Sequence, residues 1–264
     1  MLVALFITVH KKDRAILELI QAYFNGVGNI NQQGKDSVQY HVSSLKDLAL
    51  IIAHFDKYPL ITQKQADYLL FKQVFELISR KEHLTIEGLR KAASIKASSN
   101  LGLSEQQKNA FPDIIPVERP KIELSTYINP YWLAGFSSAE ACFSIFYSRA
   151  SYRKFGYQAV LGFRISQHLR DAQLMESLVQ HFGCGGYYAD YDRNIGQFIV
   201  SVFSDVTNKI IPFFQEYPII GVKTLDFADF CKAAELMKKG HHLTESGLNE
   251  IKLIKEGMNK GRLL

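Results

Sequence analysis

Cysteine is scarce in this chain of 264 residues, and the few it has do not cluster. Cys142, Cys184 and Cys231 are odd in number and far apart, and no Cys-x-x-Cys occurs, so neither a disulfide framework nor a structural zinc site is expected. The eight histidines show no ligand-like spacing, and the adjacent pair His241-His242 reads as a helix-end feature. No apolar run approaches the ~20 residues that a membrane-spanning helix needs, so no membrane partner is expected. The opening stretch Met1–Val9 is apolar. No basic residue precedes it and no small-residue cleavage site follows, which argues against a signal peptide and for a strand that begins abruptly. Charge of one sign does not dominate: the net +5 permits a polyanionic partner without demanding one. An apolar content of 47% provides for real cores, and the length suits two compact units.

The chain repeats itself. His10-Lys-Lys-Asp13 matches His168-Leu-Arg-Asp171 at an offset of 158 (168 − 10), and Ile16, Glu18, Ile20, Phe24 and Gly28 then meet Leu174, Glu176, Leu178, Phe182 and Gly186. Further on the offset is 159 (242 − 83): His83-Leu-Thr meets His242-Leu-Thr, Gly88-Leu89 meets Gly247-Leu248, and Tyr58-Pro59 meets Tyr217-Pro218. Carried back by the same step, the most unusual segment, Trp132–Cys142, falls before Met1.

The second half reads as a full unit. Tyr131–Cys142 is expected as a helix, and Phe143–Arg153 and Tyr157–Gln167, rich in aromatic and β-branched residues, as a hairpin. Arg170–Phe182 is amphipathic, with Leu174, Met175, Leu178 and Phe182 on one face, and Gly183-Cys-Gly-Gly186 stops it. Tyr187–Tyr191 and Gln197–Ser204 form a second hairpin, Asp205–Glu216 a helix broken at Tyr217-Pro218, and Leu225–Lys239 and Ser246–Met258 two closing helices. The first half runs strand, helix (Asp13–Phe24), hairpin (Asn29–Ser43), then helices over Leu45–Phe55, Gln65–Ser79 and Glu87–Ala97. These assign one half-domain to residues 1–97 and another to 130–264. Between them, residues 98–129, with Pro112, Pro116 and Pro120, read as a crossing linker.

Each half is expected to make an antiparallel sheet covered by helices on one face, three-stranded in the first half and four-stranded in the second. The other face stays open. Candidates for it are Gln32, Gln33, Lys35, Gln39 and His41 in the first half and Arg149, Arg153, Lys154, Arg164, Gln167 and Arg193 in the second. Arg, Lys and Gln are side chains that reach phosphates and base edges. In Trp132-Leu-Ala-Gly-Phe-Ser-Ser-Ala-Glu-Ala-Cys-Phe143, the small residues Ala134, Gly135, Ser138, Ala139 and Ala141 would let two helix backbones approach below the usual ~8–10 Å. The lone acid, Glu140, lies near the carboxyl end. Paired with a twin across a pseudo-dyad, such carboxylates could hold divalent cations at a phosphodiester.

Leu133-Ala-Gly-Phe136 and Ala139-Glu140 resemble the motif of the LAGLIDADG homing endonucleases. The similarity extends over nearly the whole chain, including Tyr58-Pro-Leu-Ile-Thr-Gln-Lys64, Lys81-Glu-His-Leu-Thr85 and Lys239-Gly-His-His-Leu-Thr-Glu245. The chain looks like the two-repeat, single-chain subgroup from fungal mitochondrial introns. The resemblance implies an α+β fold: two pseudo-symmetric αββαββα half-domains whose sheets form a saddle on DNA, the first truncated at its amino end. It implies a mitochondrial, monomeric enzyme that uses magnesium or another divalent cation. That enzyme would cut both strands of a double-stranded site of about twenty base pairs, leaving short 3′ overhangs. Glu140 then becomes the catalytic, metal-binding carboxylate, and Lys223 and Lys64 match the basic residue beside the active centre. The rival expectations are a non-cleaving nucleic-acid binder, such as an intron RNA maturase, and a decayed inactive copy.

Two departures from the family pattern bear on this. Ala141 stands where the family usually has glycine, Ala139 fills another small position that is often glycine, and each added methyl is expected to crowd a tight helix pair at a cost of roughly 1–3 kcal/mol. The first half carries no Leu-Ala-Gly-like segment before Trp132. A missing helix would forgo several buried side chains worth about 1.5–3 kcal/mol each, against a whole-domain stability of about 5–15 kcal/mol. The first half should therefore be poorly stable or expose a sticky edge and groove. Three explanations stay open: coding sequence upstream of Met1, decay of the copy, or pairing of two chains through their Glu140 helices.

Overall fold

Helix caps repeat along this chain as faithfully as its apolar positions do. In the computed structural model, which describes residues 3–122, 127–151 and 155–262, the chain divides into two units, residues 1–124 and 125–264.

In the first unit, β1 (Leu5–His10) leads into α1 (Arg14–Tyr23), the hairpin β2 (Asn29–Gln33) and β3 (Ser37–Val42), then α2 (Leu45–Lys57), α3 (Lys64–Ser79), α4 (Ile86–Ala97) and a short α5 (Glu105–Ala110). Its antiparallel sheet has the order β1-β3-β2. The core gathers Leu17, Val38, Tyr40, Val42, Leu48, Ile51 and Ile78 between that sheet and its helices.

The second unit holds α6 (Pro130–Glu140), β4 (Ala141–Arg149), β5 (Tyr157–His168), α7 (Ala172–Phe182), and the hairpin β6 (Gly186–Asp190) and β7 (Ile195–Val200). Helical turns α8 (Phe203–Asp205) and α9 (Ile211–Glu216) follow, then α10 (Lys223–Lys238) and α11 (Glu245–Glu256). The sheet order is β4-β5-β7-β6. Phe143 on β4 is fully buried, its ring centroid 5.1–5.5 Å from those of Phe163, Phe214, Phe227 and Phe230.

The repeated motifs turn out to be caps. His10 and His168 each accept a backbone N–H through Nδ1, from Lys12 and Arg170, and so start equivalent turns. Thr85 and Thr244 accept the N–H of Gly88 and Gly247, both at 3.1 Å. A Cβ at either glycine would fall about 2 Å from a carbonyl oxygen, that of Glu82 or His241. No other residue fits there, which explains the shared Gly-Leu pairs.

Three features depart from the sequence expectations. Residues 98–122 are not a free crossing: Ser94 and Ser98 donate to the carbonyls of Ile115 and Val117, and Arg119 pairs with Asp67 at 2.8 Å. The segment belongs to the first unit, and within it a Ser104–Gln107 capping box starts the unanticipated α5. The helix expected over Asp205–Glu216 is interrupted by a π turn over Val206–Ile210. Pro212 lacks the N–H that would bond back along the helix, and the widened turn absorbs the loss. The helix expected over Tyr131–Cys142 ends at Glu140, because β4 begins directly at Ala141.

The expected edge and groove are present. In the second unit, β4 covers α10 and α11: Phe143 meets Phe230, and the Tyr147 hydroxyl donates to the Leu248 carbonyl at 3.3 Å. In the first unit, β1 is an edge strand. The counterparts of Phe230, Ala233 and Leu248 are Phe71, Val74 and Leu89, and they line an apolar cavity of about 710 Å³ with Val3, Ala92 and Ala93. Twin phenylalanines therefore sit in unlike surroundings. Phe230→Ala is expected to cost ~3–5 kcal/mol and Phe71→Ala less than half of that. Denaturant unfolding of both variants checks this, and equal losses would show the cavity to be closed in solution.

Candidate DNA-cleavage site

Helix α6 is defined at both ends by local chemistry. The Asn129 side chain accepts the N–H groups of Tyr131 and Trp132 at 2.9 and 3.3 Å, and Pro130 opens the first turn. The last helical residue is Glu140, exposed to solvent. A carboxylate there faces the negative end of the helix dipole, so it gains from any cation placed beside it.

Lys223 supplies one. Its ammonium donates to the carbonyls of Ser137 (3.3 Å) and Ala139 (3.0 Å), the last turn of α6. Lys223 is also the first residue of α10, a position where its own helix dipole disfavours a positive charge. The lysine is thus held against one helix end by the carbonyls of another. Ser138 reinforces the joint: its hydroxyl donates to the Ala134 carbonyl (2.8 Å) and accepts the Ile220 N–H (3.0 Å) from the loop that precedes Lys223.

The four expected helix-interface residues divide. Gly135 and Ala139 are exposed, and they share a face with the stacked pair Trp132 and Phe136. Ala134 is buried within its own unit and Ser138 is tied to the Ile220 loop, so these two do not lie on the exposed face. The expected crowding by Ala141 does not arise either. As the opening residue of β4, opposite Ile165, Ala141 packs its methyl into the core.

Strand register sorts the expected DNA contacts. In the first unit, Gln33, Gln39 and His41 lie on the face away from the helices, with Gln39 bonded to Thr8 at 3.0 Å and His41 stacked on Phe6. Gln32 does not: it is opposite Val38, on the helix side, and its amide bends back to the Gly34 carbonyl. Asn29 and Asn31 occupy the open face instead. In the second unit, Arg164 is on the open face, opposite Cys142 and Ile199. Arg149 and Gln167 share the parity of Phe143 and Phe163, so they sit at strand tips on the helix side. Gln197, bonded to Ser166 at 3.0 Å, and exposed Tyr188 were missed and lie on the open face. Period-two counting from the buried Val38 and Phe198 would have found them. Lys35 and Arg193 are in hairpin turns. Arg193 is engaged, since its backbone N–H and guanidinium both bind Asp190 and hold that carboxyl below the usual range. Arg153 and Lys154 lie outside the described residues.

Lys64 is exposed at the first residue of α3, the counterpart of Lys223. Among the described residues, no group of three or more His, Cys, Asp or Glu side chains could hold a metal ion. One hard carboxylate at Glu140 still suits a magnesium-like cation, which takes one or two carboxylates and completes its shell with water and substrate phosphate. Burial pushes the Cys231 thiol up to about 11 and raises that of Cys184, which disfavours the reactive thiolate at both. No helix among the described residues is long and apolar enough to cross a membrane.

Two similar sheet-and-helix units, with an acid closing a small-residue helix over a lysine clamp, define a two-repeat nuclease class. The LAGLIDADG endonuclease profile matches residues 2–75 and 133–234, and the chain belongs to that family. It is 43% identical to probable intron-encoded endonuclease 3 of Neurospora crassa over 94% of this chain and 47% of that protein. To probable intron-encoded endonuclease 2 of the same fungus it is 42% identical, over 96% and 57%. The chain thus spans about half the length of these curated relatives. Its structure is similar to that of the homing endonuclease I-SmaMI bound to cleaved DNA, with TM-score 0.96 and 46% identity over 99% of this chain and 88% of that one. Other solved forms of I-SmaMI include one with uncleaved DNA and calcium and two lysine-to-alanine variants. The two substituted lysines are 159 positions apart, the separation of Lys64 and Lys223 (223 − 64).

The adjacent serines of α6 make opposite predictions. Ser137 is buried and its hydroxyl has no hydrogen-bond partner among the described residues, so Ser137→Ala should be neutral or stabilising. Ser138→Ala leaves the Ile220 N–H without its acceptor and should cost about 1–2 kcal/mol. Thermal unfolding of both variants is the check, and the reverse order would contradict the assigned joint.

Proposed function

We propose that this chain is a site-specific, double-strand DNA endonuclease of intron mobility, encoded in a fungal mitochondrial intron and acting as a monomer. The observation that carries the reading is the lysine clamp: Lys223 fixed on carbonyls in the last turn of α6, the helix that ends at the exposed Glu140. The open faces of the two sheets supply amides, hydroxyls and Arg164 for base edges and backbone along a site of about twenty base pairs.

In this reading, Glu140 would hold a divalent cation, magnesium in the cell. The bound ion supplies the charge that activates water and stabilises the departing oxygen. The chain's own residues do the rest. Glu140 fixes where that charge lies, Lys223 keeps a second positive charge beside the scissile phosphate, and Lys64 offers the same in the first repeat. The hydrogen bonds of the α6 joint keep these groups from drifting, and orientation of this kind accounts for much of a catalytic rate. The family match, the DNA-bound relatives and the lysine spacing support the assignment.

A second reading, binding to DNA or intron RNA without cleavage, needs only the open sheet faces. It is favoured by one observation: among the described residues, no group of three or more His, Cys, Asp or Glu side chains is placed to hold a metal ion. One experiment separates the two. With magnesium, the parent is expected to cut both strands of its target, and Glu140→Gln to abolish cutting while retaining DNA affinity. Cutting by Glu140→Gln at the parental rate removes Glu140 from the reaction. Affinity for duplex should also fall with salt, by a log–log slope of about 0.9 per phosphate neutralised. An affinity that ignores salt contradicts both readings.

A further inference from the structure

The end of the chain is tied back onto the helix that carries Lys223. Asp226, one turn along α10 and only 7% exposed, accepts three hydrogen bonds through Oδ1. They come from the Asn259 backbone N–H (2.9 Å) and from Nε and Nη2 of Arg262 (3.1 and 2.9 Å). Nη2 of Arg262 also reaches Asp229 at 2.5 Å. The Asn259 side-chain amide donates to the carbonyl of Phe143 at 3.0 Å, three residues beyond Glu140. The tail therefore bridges the strand that follows Glu140 to the first turn of the helix that Lys223 begins.

The first unit builds the same joint from other material. Asp67, the counterpart of Asp226, accepts the Asn100 N–H at 2.9 Å and Arg119 Nη1 at 2.8 Å. Asn100 is the counterpart of Asn259. Arg119 is not the counterpart of Arg262, whose place in the first repeat is taken by Leu103. Two arginines from non-equivalent positions thus converge on equivalent aspartates. A largely buried ion pair adds little stability over an apolar pair of similar size, so stability alone does not account for the repetition. Both aspartates share one other property: each lies three residues after the lysine that opens its helix.

We propose that Arg262, acting through Asp226, and the Asn259 side chain, acting through the Phe143 carbonyl, are positioning residues that hold Lys223 over the end of α6. The inference rests on the endonuclease reading for its kinetic consequence, but the placement of Lys223 can be measured without cleavage. The full-length parent and the variants Arg262→Gln, Arg262→Lys and Asn259→Gly are labelled briefly with an amine-acetylating reagent. Mass spectrometry then gives the modification of Lys223 relative to exposed Lys64 in the same molecule. The glycine variant removes only a side chain, because Asn259 has φ of 54°, where glycine is at ease. The ratio is expected to rise about threefold or more in Arg262→Gln and Asn259→Gly as the joint opens locally, and to return towards the parental value in Arg262→Lys. Single-turnover cleavage should slow about ten- to a hundredfold in Arg262→Gln, with DNA affinity in calcium unchanged. An unaltered labelling ratio in folded Arg262→Gln and Asn259→Gly overturns the proposal. If the parent does not cut, the endonuclease reading falls, and the labelling ratio still decides whether the clasp places Lys223.

Discussion

The pair of hydrogen bonds from the Lys223 ammonium to the last carbonyls of α6 is the contact on which the rest of the site depends. It joins a helix C-terminus, where an acid is electrostatically uncomfortable, to a helix N-terminus, where a lysine is. Neither charge suits its own helix, and each suits the other's. The surrounding structure serves that meeting. Asn129 and Pro130 fix where α6 begins, β4 starts as soon as it ends, and Phe143 anchors β4 among four aromatic rings. The fold thus uses an apolar core to fix Lys223 on the end of α6.

Comparison of the twin units separates what the repeat must keep from what it can vary. The capping histidines and threonines recur as acceptors for the first free N–H groups, and the glycines recur because an extra carbon there would strike a carbonyl. The arginines that grip Asp67 and Asp226 arrive by different routes, so there the joint was kept while the parts changed. Phe71 and Phe230 keep the same residue type in different surroundings, one lining a cavity and the other sealed under β4.

Much of this was legible in the sequence. The repeat offset located equivalent helices, and the small-residue segment ending in Glu140 pointed to the acid and, through the family resemblance, to Lys223. The strand faces were only partly legible. Gln32, Arg149 and Gln167 are polar residues at strand tips, where polarity reports proximity to water and not the side of the sheet. Their parity becomes visible only once the register to Val38, Tyr157 and Gly196 is known. The clasp was invisible because Asp226 and Arg262 are 36 residues apart and share no periodicity. The supposed linker misled because its prolines signal a break in regular structure, whereas its packing comes from serine hydroxyls and Arg119.

The central claim of the proposed reading is that one helix end places a carboxylate and a lysine where both would serve the same scissile phosphate. Anomalous diffraction from crystals of the chain grown with duplex target DNA and manganese tests it most directly. The account predicts a manganese peak coordinated by a carboxylate oxygen of Glu140, with the Lys223 ammonium still on the carbonyls of Ser137 and Ala139. A peak on other side chains, with Glu140 turned into bulk solvent, would contradict it.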